Sequence, residues 1–115
     1  MHEMSIAVEL MRQLEALAAE NNAERVTELT VTAGAMRAIV PEALEIAFEA
    51  VAEGTCAAGA TLHLEIVPPL ARCRQCGSRY EPEPDSFVCG QCNQADVEIV
   101  QGNEILLTSV RWEQA

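Results

Sequence analysis

Two closely spaced pairs of cysteines constrain this chain more than any other feature of its sequence. Twelve residues separate the pairs, which are Cys73 with Cys76 and Cys89 with Cys92. Two residues between cysteines allow one tight turn to direct both sulfurs at a single point, and a second such turn completes a tetrahedron. Gly77 and Asn93 follow the pairs, and both residue types tolerate the positive φ that helps such turns close. The pattern therefore predicts a metal site with four thiolate ligands.

Zinc is the metal that we expect at these four sulfurs. Thiolate tetrahedra are typical zinc sites, and four protein ligands leave no open position for water or substrate, which predicts a structural role. Iron remains an alternative, because it binds the same ligand set. Two disulfides are a further alternative. They would need an oxidising compartment, and no charged and then apolar leader follows Met1.

The apolar pattern on either side of the cysteines predicts helices and strands. The predicted elements are a helix over residues 4–20, a strand over 25–33, a helix from Pro41 to near Gly54, and strands over 60–66 and 104–112. We expect an α+β fold, namely a three-stranded sheet with two helices on one face, plus an inserted zinc-ribbon-like domain with four cysteine ligands. Residues 1–69 and 103–115 are assigned to the α+β domain, and residues 70–102 to the zinc-binding insertion. A small hairpin containing Pro82 and Pro84 is expected between the cysteine pairs.

The charge and composition of the chain argue against several partners and activities. The formal net charge of −11 opposes binding to a phosphate backbone, so we expect no nucleic acid partner. No apolar run is long enough to span a bilayer and no targeting segment is visible, so we expect a cytoplasmic protein without a membrane partner. The two histidines, His2 and His63, occur in no Ser/His/Asp or HExxH arrangement, which argues against a hydrolase.

The first three residues, Met1, His2 and Glu3, form a second candidate metal site. The terminal amine, the His2 amide nitrogen and the His2 Nδ1 can close a five-membered and a six-membered chelate ring around one ion. Glu3 can add a fourth donor through its amide or its carboxylate. Planar nitrogen donors suit Ni(II) or Cu(II) better than they suit zinc. Taken alone, however, His2 is explained more simply as a frayed surface residue.

Several motifs in a fixed order resemble those of the HypA/HybF family of nickel metallochaperones. They are the initial Met-His-Glu, a helix that begins at Pro41 and contains Phe48-Glu49, the two cysteine pairs, and Gln101-Gly102-Asn103-Glu104 before an apolar strand. The resemblance covers essentially the whole chain. It implies that the α+β domain binds Ni(II) as cargo, and that the insertion holds structural Zn(II). The implied ligands are Met1, His2 and Glu3 for nickel, and Cys73, Cys76, Cys89 and Cys92 for zinc.

The same resemblance implies a carrier rather than an enzyme, one that delivers nickel for [NiFe]-hydrogenase maturation. The implied partners are a HypB-type GTPase, the precursor of the hydrogenase large subunit and, in some organisms, urease maturation proteins. The oligomeric state stays open, a homodimer included. The alternative function is a zinc-ribbon adaptor that acts only through protein–protein contacts and keeps its N-terminus free of metal.

Three other positions bear on the nickel site, and Cys56 also needs an interpretation. Members of the family often carry a carboxylate, proposed as a nickel ligand, where this chain has Val40, and valine cannot ligate a metal. Glu42 could replace it, although an acidic residue at a helix start is already explained by the helix dipole. His63 is expected on the exposed side of a strand rather than as a ligand. Cys56 has no nearby cysteine and is expected to be a small buried or half-buried residue.

Overall fold

A computed structural model describes residues 2–82 and 87–115 of the chain. The helices are α1 (His2–Glu20), a 3₁₀ helix (Ala35–Arg37) and α2 (Pro41–Ala52). The strands are β1 (Ala23–Gly34), β2 (Thr61–Val67), β3 (Leu70–Cys73), β4 (Arg79–Tyr80), β5 (Val97–Gln101) and β6 (Ile105–Gln114). They form two three-stranded sheets, one in the order β2-β1-β6 and the other in the order β4-β3-β5. None of the described helices is long and apolar enough to cross a membrane.

The two long helices and the first sheet enclose the main hydrophobic core. The buried apolar residues are Ile6, Ala7, Leu10, Met11, Leu14 and Ala18 of α1, Leu44, Ala47, Phe48 and Ala52 of α2, and Val26, Leu29, Val31 and Ala33 of β1. Pro41 starts α2 at the position where the missing N–H of proline is not needed. The opposite face of the sheet is polar, and there the Thr32 and Thr108 hydroxyl oxygens lie 3.2 Å apart. The predicted α+β fold class is confirmed.

Some details of the first sheet and of α1 differ from the sequence-based expectations. The helix begins at His2 rather than at Met4, and the Ser5 Oγ donates a hydrogen bond to the His2 carbonyl oxygen at 2.9 Å within its first turn. Strict alternation from Leu62 and Leu64 along the predicted strand would turn Ile66 towards the core, but Ile66 is 48% exposed. The chain leaves this core after Glu65, so alternation no longer predicts burial at residue 66.

The chain divides into two compact units. The first, here called the helical unit, comprises Met1–Thr32, Ile39–Glu65 and Leu106–Ala115. The second, here called the cysteine unit, comprises Ala33–Ala38 and Ile66–Ile105. The cysteine unit thus includes the early segment Ala33–Ala38, which the sequence analysis assigned to the α+β domain. The assignment of nickel binding to one domain and of zinc binding to the other stays a prediction.

A close approach of two glycine backbones fixes the early segment within the cysteine unit. The Gly34 N–H donates to the Glu104 carbonyl oxygen at 2.8 Å, and the Met36 N–H donates to the Gly102 carbonyl oxygen at 2.9 Å. A Cβ atom added to Gly34 would lie 1.9 Å from the Gly102 carbonyl carbon. Gly102 has a φ of +113°, which favours glycine. Side chains are therefore excluded at both positions.

The second sheet surrounds the cysteine turns with short strands that sequence patterns did not predict. Strand β3 is central and pairs antiparallel with β4 and with β5. Arg72 of β3 forms an ion pair with Glu98 of β5 across this sheet. The strands are too short for their alternation to be recognised, since β4 has only two residues. Of the hairpin expected between the cysteine pairs, residues 83–86 lie outside the described residues.

Candidate metal centre

The four predicted zinc ligands lie together in the cysteine unit. Their Sγ atoms are all within 4.8 Å of one another. The separations are 3.4 Å between Cys73 and Cys92 and 3.6 Å between Cys76 and Cys89. Zinc–sulfur bonds of about 2.3 Å place the corners of a tetrahedron about 3.8 Å apart, so the donor set fits a single zinc ion. Disulfides would need sulfur separations of about 2.05 Å, and all the cysteines are free.

Two matching turns bring these sulfurs together. The Gly77 N–H donates to the Cys73 carbonyl oxygen at 2.8 Å, and the Asn93 N–H donates to the Cys89 carbonyl oxygen at 2.9 Å. Gly77 has a φ of +77° and Asn93 a φ of +58°, so the positive φ expected at both positions is confirmed. Each turn is also closed by a second hydrogen bond, from the Cys73 N–H to the Ser78 carbonyl oxygen or from the Cys89 N–H to the Gln94 carbonyl oxygen. The site is therefore shaped by backbone geometry.

The electrostatics of the four sulfurs favour binding of a cation. A hydrogen bond from the Cys92 backbone N–H to the Cys89 sulfur lowers the pKa of the Cys89 thiol to about 7. A hydrogen bond from the Cys76 backbone N–H likewise lowers the pKa of the Cys73 thiol. A hydrogen bond from the Gln94 backbone lowers the pKa of Cys92, but the adjacent Cys73 sulfur, burial and the other sulfurs outweigh it and raise that pKa to about 12. Four adjacent thiolates therefore repel one another, and a divalent cation at their centre would relieve this repulsion.

Asp96 supports the first turn, and sequence analysis did not single it out. Its backbone carbonyl accepts a hydrogen bond from the Arg74 N–H at 2.9 Å. Its carboxylate accepts one from the Arg74 guanidinium at 2.9 Å and one from the Gln75 side-chain amide at 3.1 Å. The Arg74 and Gln75 hydrogen bonds lower the pKa of the Asp96 carboxyl group. Arg74 and Gln75 are the two residues between the cysteines of the first pair, so Asp96 holds this turn in place.

The predicted nickel ligands lie at the start of α1, apart from Met1, which is outside the described residues. The His2 Nδ1 is 3.7 Å from the Glu3 Oε2. Two donors bound to one metal at about 2.0–2.1 Å are at most about 4 Å apart, so both side chains can reach a common ion. The His2 side chain is 44% exposed, whereas that of Glu3 is 15% exposed. An incoming ion therefore has direct access to the imidazole.

The helical start affects the backbone nitrogens of these residues. The first four N–H groups of a helix have no carbonyl partner within the helix, and α1 begins at His2. The His2 and Glu3 amides are thus not engaged in the helical hydrogen bonds that a coordinating amide would have to give up. The positive end of the helix dipole also favours a deprotonated, negatively charged amide nitrogen.

The Glu3 carboxylate has a second role that its sequence context does not reveal. Its Oε2 accepts a hydrogen bond from the Val40 backbone N–H at 3.1 Å. This hydrogen bond is the main cause of the lowered pKa of Glu3. Val40 is the N-cap of α2 and makes no side-chain capping bond. Position 40 is therefore next to the Glu3 carboxylate, and the exposed Val40 side chain provides no ligand there.

Within the part of the chain that the structure describes, Glu42, His63 and Cys56 belong to no cluster of potential metal ligands. Among the described residues, the four cysteines form the one group of at least three potential ligands whose donor atoms all lie within 4.8 Å of one another. Glu42 therefore does not form such a group with His2 and Glu3. His63 is exposed, as expected, and its Nε2 lies 3.2 Å from a Glu28 carboxylate oxygen. Cys56 is half-buried, which confirms the prediction for it.

Comparison with known proteins gives one consistent result. Residues 1–112 match the family described as hydrogenase/urease nickel incorporation, metallochaperone, HypA. The hydrogenase maturation factor HypA of Aquifex aeolicus is 36% identical and covers 98% of each chain. That of a Picosynechococcus strain is 39% identical, over 96% of this chain and 97% of the relative.

The solved structures agree with the sequence comparison. The chain superimposes on the solution structure of the Ni metallochaperone HypA from Helicobacter pylori with a TM-score of 0.74, at 27% identity and complete coverage of both chains. The family resemblance noted from the motifs is therefore confirmed. This chain belongs to the HypA family of metallochaperones for nickel incorporation into hydrogenase and urease.

Proposed function

We propose that this protein binds one Ni(II) ion through Met1, His2 and Glu3 and delivers it for [NiFe]-hydrogenase maturation. The observation that carries the proposal is the placement of the His2 imidazole and the Glu3 carboxylate, 3.7 Å apart, at a helix start whose amides lack helical partners. The terminal amine, the His2 amide and the imidazole would supply three planar nitrogens, a donor set that suits Ni(II). The protein would act as a carrier and would catalyse no reaction.

We further propose that Cys73, Cys76, Cys89 and Cys92 hold a structural Zn(II). Sulfur separations close to those of a zinc tetrahedron support this assignment. Four protein sulfurs leave no position for nickel or for a substrate. The zinc site would thus stabilise the cysteine unit and take no direct part in carrying nickel.

The nickel donors also suggest how the cargo is released. The amine, the amide and the imidazole coordinate a metal only through nitrogens that carry no competing proton. Nickel affinity is therefore expected to decrease as the pH decreases. The exposed position of His2 would allow a protein acceptor to displace the ligands one at a time.

Delivery requires partners, and the family indicates their class. Nickel incorporation into hydrogenase and urease is the process in which the matching family takes part. We propose a HypB-type GTPase and the hydrogenase large-subunit precursor as the partners of this chain, with urease maturation proteins where urease is present. A cytoplasmic location follows from such partners. A homodimer stays open.

The function can be tested by substitution of His2 in cells that depend on this protein for hydrogenase activity. His2→Ala should abolish maturation while the amount of soluble protein stays unchanged, and added nickel salt should restore part of the activity. The matched control is His63→Ala, which removes the other histidine and should leave maturation intact. If His2→Ala supports normal maturation, the zinc-ribbon adaptor becomes the better account.

A further inference from the structure

A groove beside α2 in the helical unit takes no part in either candidate metal site. It has a volume of about 390 Å³. The lining residues are Glu45, Phe48, Glu49, Ala52, Ala57, Gly59, Ala60, Thr61 and Leu62. Phe48, Ala52 and Ala57 are buried and form an apolar floor, whereas Glu45 and Glu49 are exposed. One open wall is built from small residues, so a long side chain could enter the groove.

The charges around this groove are all of one sign. Residues three or four apart are neighbours on a helix surface, and four carboxylates follow this spacing along α2 and its C-cap: Glu42, Glu45, Glu49 and Glu53. None of them is paired with an arginine or histidine of the described residues. By contrast, Glu9, Glu28, Glu98, Asp96 and Glu113 are all paired with arginine. The stripe on α2 therefore lacks internal neutralisation.

An exposed apolar residue interrupts the same stripe. Ile46 is 68% exposed, and it lies between Glu42 and Glu49 at helical spacing. An apolar floor, an exposed isoleucine and unpaired carboxylates together match the long side chains of lysine and arginine, which place an aliphatic stem on apolar surface and a cation at its end. A phosphate-bearing partner would be repelled by these carboxylates.

We propose that the groove between α2 and residues 57–62, together with Ile46, is a docking site for a basic amphipathic segment of a partner protein. Lysine or arginine side chains of the partner would enter over Phe48 and pair with Glu45 and Glu49. An apolar side chain of the partner would cover Ile46. This site is separate from the proposed nickel ligands, so loss of nickel binding would leave it intact.

The absence of lysine from this chain permits a direct test. A carbodiimide joins carboxylates to amines, and a lysine-containing probe peptide would be the main source of amines in the mixture. The probe is a short synthetic helical peptide with lysine and leucine on one face, added to the full-length, zinc-loaded protein. Cross-links located by mass spectrometry should concentrate on Glu45 and Glu49. An even distribution over the eighteen acidic residues would overturn the proposal.

Binding of the same peptide by matched variants completes the test. The double variant Glu45→Gln with Glu49→Gln should bind about tenfold more weakly by fluorescence anisotropy. The control, Glu15→Gln with Glu20→Gln, removes the same charge from exposed positions on α1 and should bind as the unmodified protein does. Equal weakening in both variants would show general charge attraction and overturn the proposal. If the protein self-associates and only the Glu45→Gln with Glu49→Gln variant loses this self-association, the groove binds a second copy of this chain. That result would also overturn the proposal.

Discussion

The two proposed metal sites of this chain are built in opposite ways. The cysteine site takes four sulfurs from two separate turns. Both turns have equivalent backbone hydrogen bonds and a residue with positive φ after the second cysteine. The proposed nickel site would take its donors from three consecutive residues, and the imidazole of His2 is nearly half exposed. The first arrangement places four sulfurs held by backbone turns around one point, while the second is easily reached and easily displaced. Under the proposed assignments, this difference in construction would distinguish a structural zinc ion, which stays bound, from a nickel ion, which is passed on.

Removal of one cysteine ligand is the substitution with the largest expected effect, and it tests whether the cysteine site is structural. Cys89→Ala should unfold much of the cysteine unit, because a structural zinc site contributes on the order of 10 kcal/mol to folding. Loss of dispersion in the amide NMR signals of residues 70–101, with the α1 signals preserved, is the expected result. Cys56→Ala is the control and should leave the spectrum intact. A folded, zinc-free Cys89→Ala protein would contradict a structural role for the metal.

A second substitution tests whether the close contact between Gly34 and Gly102 stabilises the cysteine unit in addition to the metal. Gly34→Ala would place a Cβ atom 1.9 Å from the Gly102 carbonyl, so the backbone must shift, at a cost of about 1–3 kcal/mol. Gly90→Ala is the control, because a Cβ atom there meets no atom within 4 Å, and it should change stability by less than about 0.5 kcal/mol. Denaturant unfolding of both zinc-loaded variants gives the comparison. Equal stabilities would show that the glycine contact is unimportant.

Nickel binding should become tighter when a carboxylate is added beside the open site. Val40→Asp introduces one next to Glu3, and about tenfold higher nickel affinity is expected, equivalent to about 1.4 kcal/mol. Aspartate is also a favourable N-cap for α2, worth about 1 kcal/mol of stability. Val40→Thr is the control, because it can cap α2 but adds no charge. Equal nickel affinity in the two variants would show that a carboxylate at position 40 does not reach the metal.

The smallest effect concerns the pKa of Glu3 in the metal-free protein. The Val40 N–H lowers this pKa, so the carboxylate stabilises the fold above its ordinary pKa of about 4.3, and this contribution is lost as the pH falls through the lower folded value. Val40→Pro removes the N–H donor, and the Glu3 pKa measured by carbon NMR should rise towards 4.3. Val40→Ala keeps the N–H and should keep the lowered pKa. An unchanged value in the proline variant would assign the shift to another cause.

The residues that could be predicted from the sequence share a local cause. The turns at Gly77 and Asn93 follow from residue spacing and from the φ that these residues tolerate, and the α+β pattern follows from periodicity. The hydrogen bond from Val40 to Glu3 joins residues 37 positions apart through a backbone N–H, which has no signature in the sequence. The contact between Gly34 and Gly102 likewise depends on neighbours that are distant along the chain, and strand β4, with two residues, is too short to show alternation.

The central claim is most directly tested by calorimetric titration of Ni(II) into the zinc-loaded protein with a free Met1 amine. The titration is run beside His2→Ala and is followed by the visible absorption of a planar nickel complex. The account predicts one nickel per chain, a visible band, and loss of both in the variant. Weak, unsaturable binding that is the same in the two proteins would contradict it, because the acidic surface would then be collecting cations without a site.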